Sequence, residues 1–133
     1  MFCASTQKLM KKTKRKSASG SLKPTSPKPR VPSSLERKFD LLWANVGGPS
    51  LEVEYKFHPT RRWRADYAHH ESRTLIEIEG GAWGGRHSRG SGFLKDAEKY
   101  WEAAKLGWKV IRWTAPLITV ENCEILKVMI KTP

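Results

Sequence analysis

The chain has 133 residues, enough for one domain but not for two, and its 25 basic against 13 acidic residues give a net charge of +12. Its two cysteines, Cys3 and Cys123, form no CxxC motif, which argues against a disulfide scaffold and a structural zinc site. The sequence has neither an apolar run of about 18 residues nor a secretory signal. It therefore predicts an intracellular, cytoplasmic protein with no membrane partner.

The positive charge is concentrated at the N-terminus. Residues 1–32 contain nine lysines and arginines and no acidic residue, so residues 33–133 contain 25 − 9 = 16 basic and 13 acidic residues, a net charge of +3. The first segment is rich in Lys, Ser, Thr and Pro, a composition that predicts a disordered tail. We expect a basic tail at 1–32, a folded domain at 33–133, and a polyanionic partner, most commonly nucleic acid.

The first predicted helix begins after Pro32. Ser33 and Glu36 have the spacing of a capping box, and Gly47 marks the end of the helix. The apolar residues of this segment recur on one helical face, at Leu35, Phe39, Leu42 and Trp43. Glu36 has two interpretations, since it either only closes the capping box or also supports an acidic site.

A strand is predicted next, over residues 51–57. Its apolar residues alternate with polar ones, at Leu51, Val53, Tyr55 and Phe57. Arg61 and Arg62 follow in the connection to the next strand, where we expect them to bind nucleic acid.

A hairpin is predicted over residues 63–79, with its turn at Glu71 and Ser72. His70 then pairs with Arg73, and the same register places Asp66 opposite Glu77, with Glu79 on the same face. The opposite face reads as the core, with Ala65, Tyr67, Ile76 and Ile78. Carboxylates this close together repel one another, and a hard divalent cation would compensate for the repulsion.

Residues 80–92 form a predicted glycine-rich loop. It lacks the P-loop pattern, but it contains residues suited to phosphate and base contacts, namely Trp83, Arg86, His87 and Arg89. The sequence predicts that this loop binds nucleic acid.

The second predicted helix covers residues 93–106 and ends at Gly107. Its expected apolar face consists of Phe93, Leu94, Ala97, Tyr100, Trp101 and Ala104. Lys99 forms either an ion pair with Asp96 or, together with Lys95, a contact to phosphates. A strand at 108–113, parallel to the Glu77 strand, and a helix at 120–130 follow.

The predicted order α-β-β-β-α-β-α resembles that of the PD-(D/E)xK nuclease superfamily, an α/β restriction-endonuclease-like αβββαβ core with a small mixed sheet flanked by helices. Asp66 matches the first acid of the family signature and Glu77 the second, while Glu79 stands where the family usually has lysine. The chain also resembles small phage and bacterial very-short-patch-repair-like endonucleases, in the blocks WRADYA, IEIEGGAW, GRHSRGSGFLKDAEKY and GWKVIRW.

This resemblance implies an endonuclease that hydrolyses DNA with Mg²⁺ or Mn²⁺. Asp66, Glu77 and the Ile78 carbonyl would hold the metal, and Glu79 would orient or deprotonate the attacking water. Glu36 would support the site, and His87 and Lys99 would stabilise charge in the transition state. The sequence leaves open whether the protein forms a homodimer. It also leaves open three alternative functions, namely a Holliday-junction or branched-DNA resolvase, an RNase and an inactive DNA-binding module.

Overall fold

A computed structural model describes residues 29–80 and 91–131. The chain divides between Arg30 and Val31, and the features below belong to the second unit. This part contains three α-helices, four strands and a short 3₁₀ helix, in the order α1 (Ser34–Asn45), β1 (Glu52–Lys56), β2 (Arg64–His69), β3 (Thr74–Glu79), α2 (Ser91–Lys105), β4 (Lys109–Thr114), the 3₁₀ helix (Ala115–Leu117) and α3 (Val120–Lys131). The predicted order of elements is therefore confirmed.

The strands form one mixed sheet in the order β1-β2-β3-β4. The first two neighbouring pairs are antiparallel, and β3 and β4 are parallel, as the intervening helix predicts. In the hairpin, Tyr67 pairs with Ile76, and the amide of Arg73 donates to the carbonyl of His70 at 3.1 Å. The predicted hairpin register is therefore confirmed.

The sheet has an apolar layer on each side. The larger cluster joins it to α1 and α3 and includes Phe39, Trp43, Tyr67, Ile76, Ile78, Trp113, Cys123 and Leu126. The smaller cluster joins it to α2 and consists of Phe57, Ala65, Ala68, Leu75, Ala103 and Trp108. Cys123 is a buried free thiol within the first cluster.

The sequence placed α1 correctly. Ser33 caps the helix, with its hydroxyl 3.2 Å from the amide of Glu36, and the reciprocal half of the capping box is also formed. Phe39 and Trp43 are buried, and the other two residues of the predicted face, Leu35 and Leu42, pack against the same cluster.

The predicted apolar face of α2 is wrong. Phe93, Leu94 and Trp101 are 66%, 68% and 64% exposed, whereas Ala103 is completely buried against the sheet. Helix α2 packs Ala103 into the smaller apolar cluster on the sheet, and its Lys99 points toward β3. The three large apolar side chains at Phe93, Leu94 and Trp101 are therefore exposed to solvent.

The strict alternation predicted for β1 and β2 also fails, at one place. Ala65 is buried as predicted, but it packs in the α2-side cluster, whereas Tyr67 packs in the α1-side cluster. Residues two apart in a regular strand share a face, so the strand changes face at Asp66. In β1, Val53 is 63% exposed and Glu54 is half-buried with a φ of 54°. The irregularity at Glu54 and Asp66 lies at the candidate site.

Candidate functional site

Three carboxylates from three different elements lie close together at the first turn of α1. They belong to Glu36 of α1, Glu54 of β1 and Asp66 of β2, and one oxygen of each lies within 4.8 Å of the others. We refer to this group as the acid trio. Like charges this close repel one another, and oxygens at this separation match the span of a coordination shell around a hard divalent cation with bonds of roughly 2.0–2.6 Å.

Helix α1 holds Glu36 in place through the capping box. Its carboxylate accepts the backbone amide of Ser33 at 2.5 Å, and the residue is only 4% exposed. An acid at this position also interacts favourably with the positive end of the helix dipole. The capping and the site-supporting interpretations of Glu36 are therefore compatible.

Glu54 enters the trio through its backbone conformation. Its φ of 54° is in the left-handed region, which residues with a Cβ rarely adopt. One oxygen, Oε1, is buried, and Oε2 lies 3.9 Å from Nη1 of Arg64. The sequence analysis missed this residue, because a Glu in an alternating strand reads as a solvent-facing side chain.

Asp66 connects the trio to β3. Its Oδ2 accepts the backbone amide of Ile78 at 2.8 Å. The backbone pairing of β2 with β3 ends at Tyr67 and Ile76, and the Asp66 side chain accepts a backbone amide beyond that end. The structure thus places the amide of Ile78, rather than a carbonyl, against Asp66.

Glu77 turns toward α2 and forms an ion pair with Lys99. The distance from Nζ to Oε1 is 2.5 Å, and the side chains are 15% and 12% exposed. Burial raises the pKa of Glu77 above its usual range; Lys99 opposes this shift, whereas the charges of Asp66 and Glu79 add to it. Glu77 is therefore electrostatically coupled to Asp66, although its direct partner is a lysine.

Glu79 lies on the same side and is held by Arg112 of β4. The Nε atom of Arg112 donates to Oε1 of Glu79 at 2.7 Å, and a second guanidinium nitrogen donates to the same oxygen. The hydroxyl of Tyr100 lies 3.3 Å from that oxygen, and Arg112 stacks on the Tyr100 ring at 4.3 Å. Glu79 is therefore a fixed carboxylate whose charge is balanced by Arg112.

The structure describes three of the candidate nucleic-acid ligands, Arg61, Arg62 and Lys95. Arg61 stacks on Trp63 at 4.7 Å and pairs with Glu98, whereas Arg62 and Lys95 are exposed. The remaining candidates lie outside the described residues, namely Trp83, Arg86, His87 and Arg89.

Two partners of the predicted acids, Tyr100 and Arg112, were not identified from the sequence. The available signal for Arg112 was its place in the strand predicted to run parallel to the Glu77 strand, and the structure pairs the backbones of these two residues. Tyr100 was assigned to an apolar helix face, and its place beside Glu79 follows from how α2 is rotated on the sheet.

No family model matches the chain, and comparison with curated proteins and with solved structures likewise finds no match. Within residues 29–80 and 91–131, none of the helices is both long enough and apolar enough to cross a membrane.

Proposed function

We propose that the protein is a divalent-metal-dependent endonuclease of the PD-(D/E)xK type that hydrolyses phosphodiester bonds of DNA. One observation carries this proposal: Asp66 of the acid trio is electrostatically coupled to Glu77, a part-buried carboxylate that forms an ion pair with Lys99. Phosphodiester hydrolysis needs charge neutralisation at the phosphate and a positioned water, and these groups are suited to both tasks.

The donor set fits a hard cation. All three trio ligands are carboxylate oxygens, and neither sulfur nor imidazole belongs to the group, so Mg²⁺ or Mn²⁺ is the appropriate ion. Asp66, Glu36 and Glu54 would hold it, with Glu77 adjacent. When bound, the ion would supply Lewis-acid stabilisation of the phosphate and lower the pKa of water.

The other residues near the ion would each have a separate role in the reaction. Lys99 would leave Glu77 for a phosphate oxygen and stabilise the negative charge that develops there, which frees Glu77 to complete the acidic set. Glu79, fixed by Arg112 and Tyr100, would orient the attacking water or accept its proton. This arrangement would supply, from helix α2, the positive charge that the usual signature places at position 79.

DNA is the proposed substrate because the chain carries a net charge of +12 and Arg62 and Lys95 are exposed on the domain. Such charges bind a phosphate backbone without regard to sequence. Branched DNA and RNA would use the same chemistry, and we treat them as outcomes of the test.

The test is cleavage of supercoiled, linear, branched and single-stranded DNA and of RNA, with and without Mg²⁺ or Mn²⁺. We expect metal-dependent DNA cleavage by the wild type, none by Asp66→Asn, and wild-type rates for Glu121→Gln, which removes one exposed carboxylate from α3. Binding without cleavage of any substrate, or wild-type cleavage by Asp66→Asn, would overturn the proposal.

A further inference from the structure

Helix α2 exposes a continuous apolar stripe along its length. The stripe consists of three large side chains and two small ones, all of them exposed, namely Phe93, Leu94, Ala97, Trp101 and Ala104. These residues recur at the spacing of one helical face, and Ala103, on another side of the helix, is the residue that α2 buries on the sheet. We refer to this surface as the α2 stripe. A contiguous exposed apolar surface of this kind marks an interaction site.

The charges that flank the α2 stripe favour a protein partner over nucleic acid. They are Asp96 on one side and Glu98 and Lys105 on the other, so two acidic residues accompany one basic residue, in a chain whose net charge is +12. A surface that binds a phosphate backbone carries an excess of positive charge. An aromatic and apolar centre with charges of both signs at its rim is instead the composition of a protein–protein interface.

The flanking charges of the α2 stripe are complementary to themselves. Glu98 and Lys105 are seven residues apart, two helical turns, and therefore lie on the same flank. Trp101 lies between them, three residues after Glu98 and four before Lys105. When a second α2 helix runs antiparallel about a two-fold axis near Trp101, Glu98 of each copy faces the partner's Lys105. Such an isologous contact uses one surface patch twice.

The contacts of Glu98 and Lys105 within one chain leave room for this exchange. Glu98 pairs with Arg61, and Lys105 pairs with Glu102 at 2.6 Å. A carboxylate has about four acceptor positions and an ammonium group has three donors. Each group can therefore take a second partner across the interface and keep the first.

The apolar residues of the α2 stripe suit the same arrangement. A helical side chain leans toward the N-terminus of its own helix, so in an antiparallel pair the indole of Trp101 lies over a more C-terminal part of the partner helix. The residue there is the partner's Ala104, which is small enough to let the ring lie flat on the helix. Trp is also among the residues that contribute most to the affinity of protein interfaces.

We propose that two copies of this chain associate through the α2 stripe, with their α2 helices antiparallel about a two-fold axis near Trp101. This proposal is independent of the endonuclease activity proposed above. Each copy contributes one face of a 15-residue helix, which is at the low end of the size range for specific interfaces. The dimer is therefore reversible and dissociates on dilution.

Sedimentation velocity of the full chain, freed of nucleic acid, tests the proposal over about a hundredfold range of concentration. We expect the wild type to shift from monomer to dimer, and Trp101→Gln to weaken association by at least about 10-fold. Ile125→Gln is the matched control, since Ile125 is an exposed apolar residue of α3, and it should associate as the wild type does. Circular dichroism checks that each variant is folded.

A charge exchange tests the antiparallel arrangement and does not depend on Trp101→Gln. Glu98→Lys alone places lysine against lysine across the two-fold axis, and Lys105→Glu alone places glutamate against glutamate, so each should associate several-fold more weakly than the wild type. An equal mixture of the two variants restores both opposite-charge contacts. We expect the mixture to form dimers that neither variant forms alone at the same total concentration.

Three results would overturn the proposal. They are a wild type that stays monomeric at every concentration, wild-type association by folded Trp101→Gln, and a mixture of the charge variants that associates no better than its components. A monomeric wild type whose DNA binding is lost in Trp101→Gln would assign the α2 stripe to nucleic acid instead. Absence of DNA cleavage, by contrast, would overturn the proposed activity and leave the dimer standing.

Discussion

The carboxylate of Glu54 reaches the acid trio because of one backbone angle. A φ of 54° turns the residue away from the regular pleat of β1, so that a side chain expected in solvent becomes half-buried beside Asp66. Strained residues of this kind are frequent at functional sites. Residue identity alone could not reveal this, since the angle depends on how β1 and β2 change face together.

The pairing of Glu77 with Lys99 could be anticipated only in part. Both residues were site candidates from the sequence, but the ion-pair partner considered for Lys99 was Asp96, because the two are three residues apart on one helix. The structure shows the longer-range pair instead, since α2 turns Lys99 toward the sheet. The rotation of a helix about its own axis is set by packing, which local spacing does not encode.

We predict that Lys99→Met destabilises the metal-free protein by about 2 kcal/mol, because it leaves the part-buried Glu77 without its charged hydrogen-bond partner. The double variant Lys99→Met with Glu77→Gln should recover most of that loss, since it removes the uncompensated charge. Urea denaturation of the wild type, both single variants and the double variant gives the coupling free energy. Additive effects would show that the pair contributes no coupling to the fold.

At the level of elements, α1 contributes both to the stability of the fold and to the candidate site. Its capping box orders the first turn and at the same time fixes Glu36. The sequence identified this element fully, because capping residues act locally and have a fixed spacing.

We predict that Ser33→Ala lowers the free energy of unfolding by about 1 kcal/mol and weakens Mn²⁺ binding several-fold, because the turn that carries Glu36 is loosened. Thr119→Ala is the matched control, since Thr119 caps α3 with its hydroxyl 3.1 Å from the amide of Asn122. It should cost a similar free energy and leave Mn²⁺ binding unchanged. Equal effects of both variants on metal affinity would contradict the role given to Glu36.

The exposed face of α2 yields a separate prediction. Trp101→Gln should change the free energy of unfolding by no more than about 0.5 kcal/mol, because the side chain is 64% exposed. Ala103→Leu should destabilise by about 1–3 kcal/mol through overpacking at a buried position. Chemical denaturation measures both. A large loss with Trp101→Gln and a small one with Ala103→Leu would show that α2 has the rotation first expected from its sequence.

At the scale of the whole molecule, the sequence predicts the order of elements, the parallel strand pair and the hairpin register, because these depend on periodicity and turn chemistry. It does not predict the face change at Glu54 and Asp66 or the rotation of α2. These two features arise from contacts between elements, and together they decide which carboxylates meet.

The basic tail should act on binding and not on the chemical step. Its nine positive charges would each contribute up to about 0.9 to the slope of log K against log salt on duplex DNA. We predict that deleting residues 1–30 weakens DNA binding and flattens that slope, whereas a shuffled tail of the same composition restores both. Fluorescence anisotropy at several salt concentrations measures the slope. An unchanged slope after deletion would show that the tail does not contact DNA.

The proposed divalent-cation site of Asp66, Glu36 and Glu54 is tested most directly by titration calorimetry with Mn²⁺. We expect one bound ion in the wild type, the same affinity in Glu121→Gln, a large loss in Glu54→Gln and no detectable binding in Asp66→Asn. Circular dichroism must show that each variant is folded. Mn²⁺ binding by folded Asp66→Asn with wild-type affinity and stoichiometry would contradict the account.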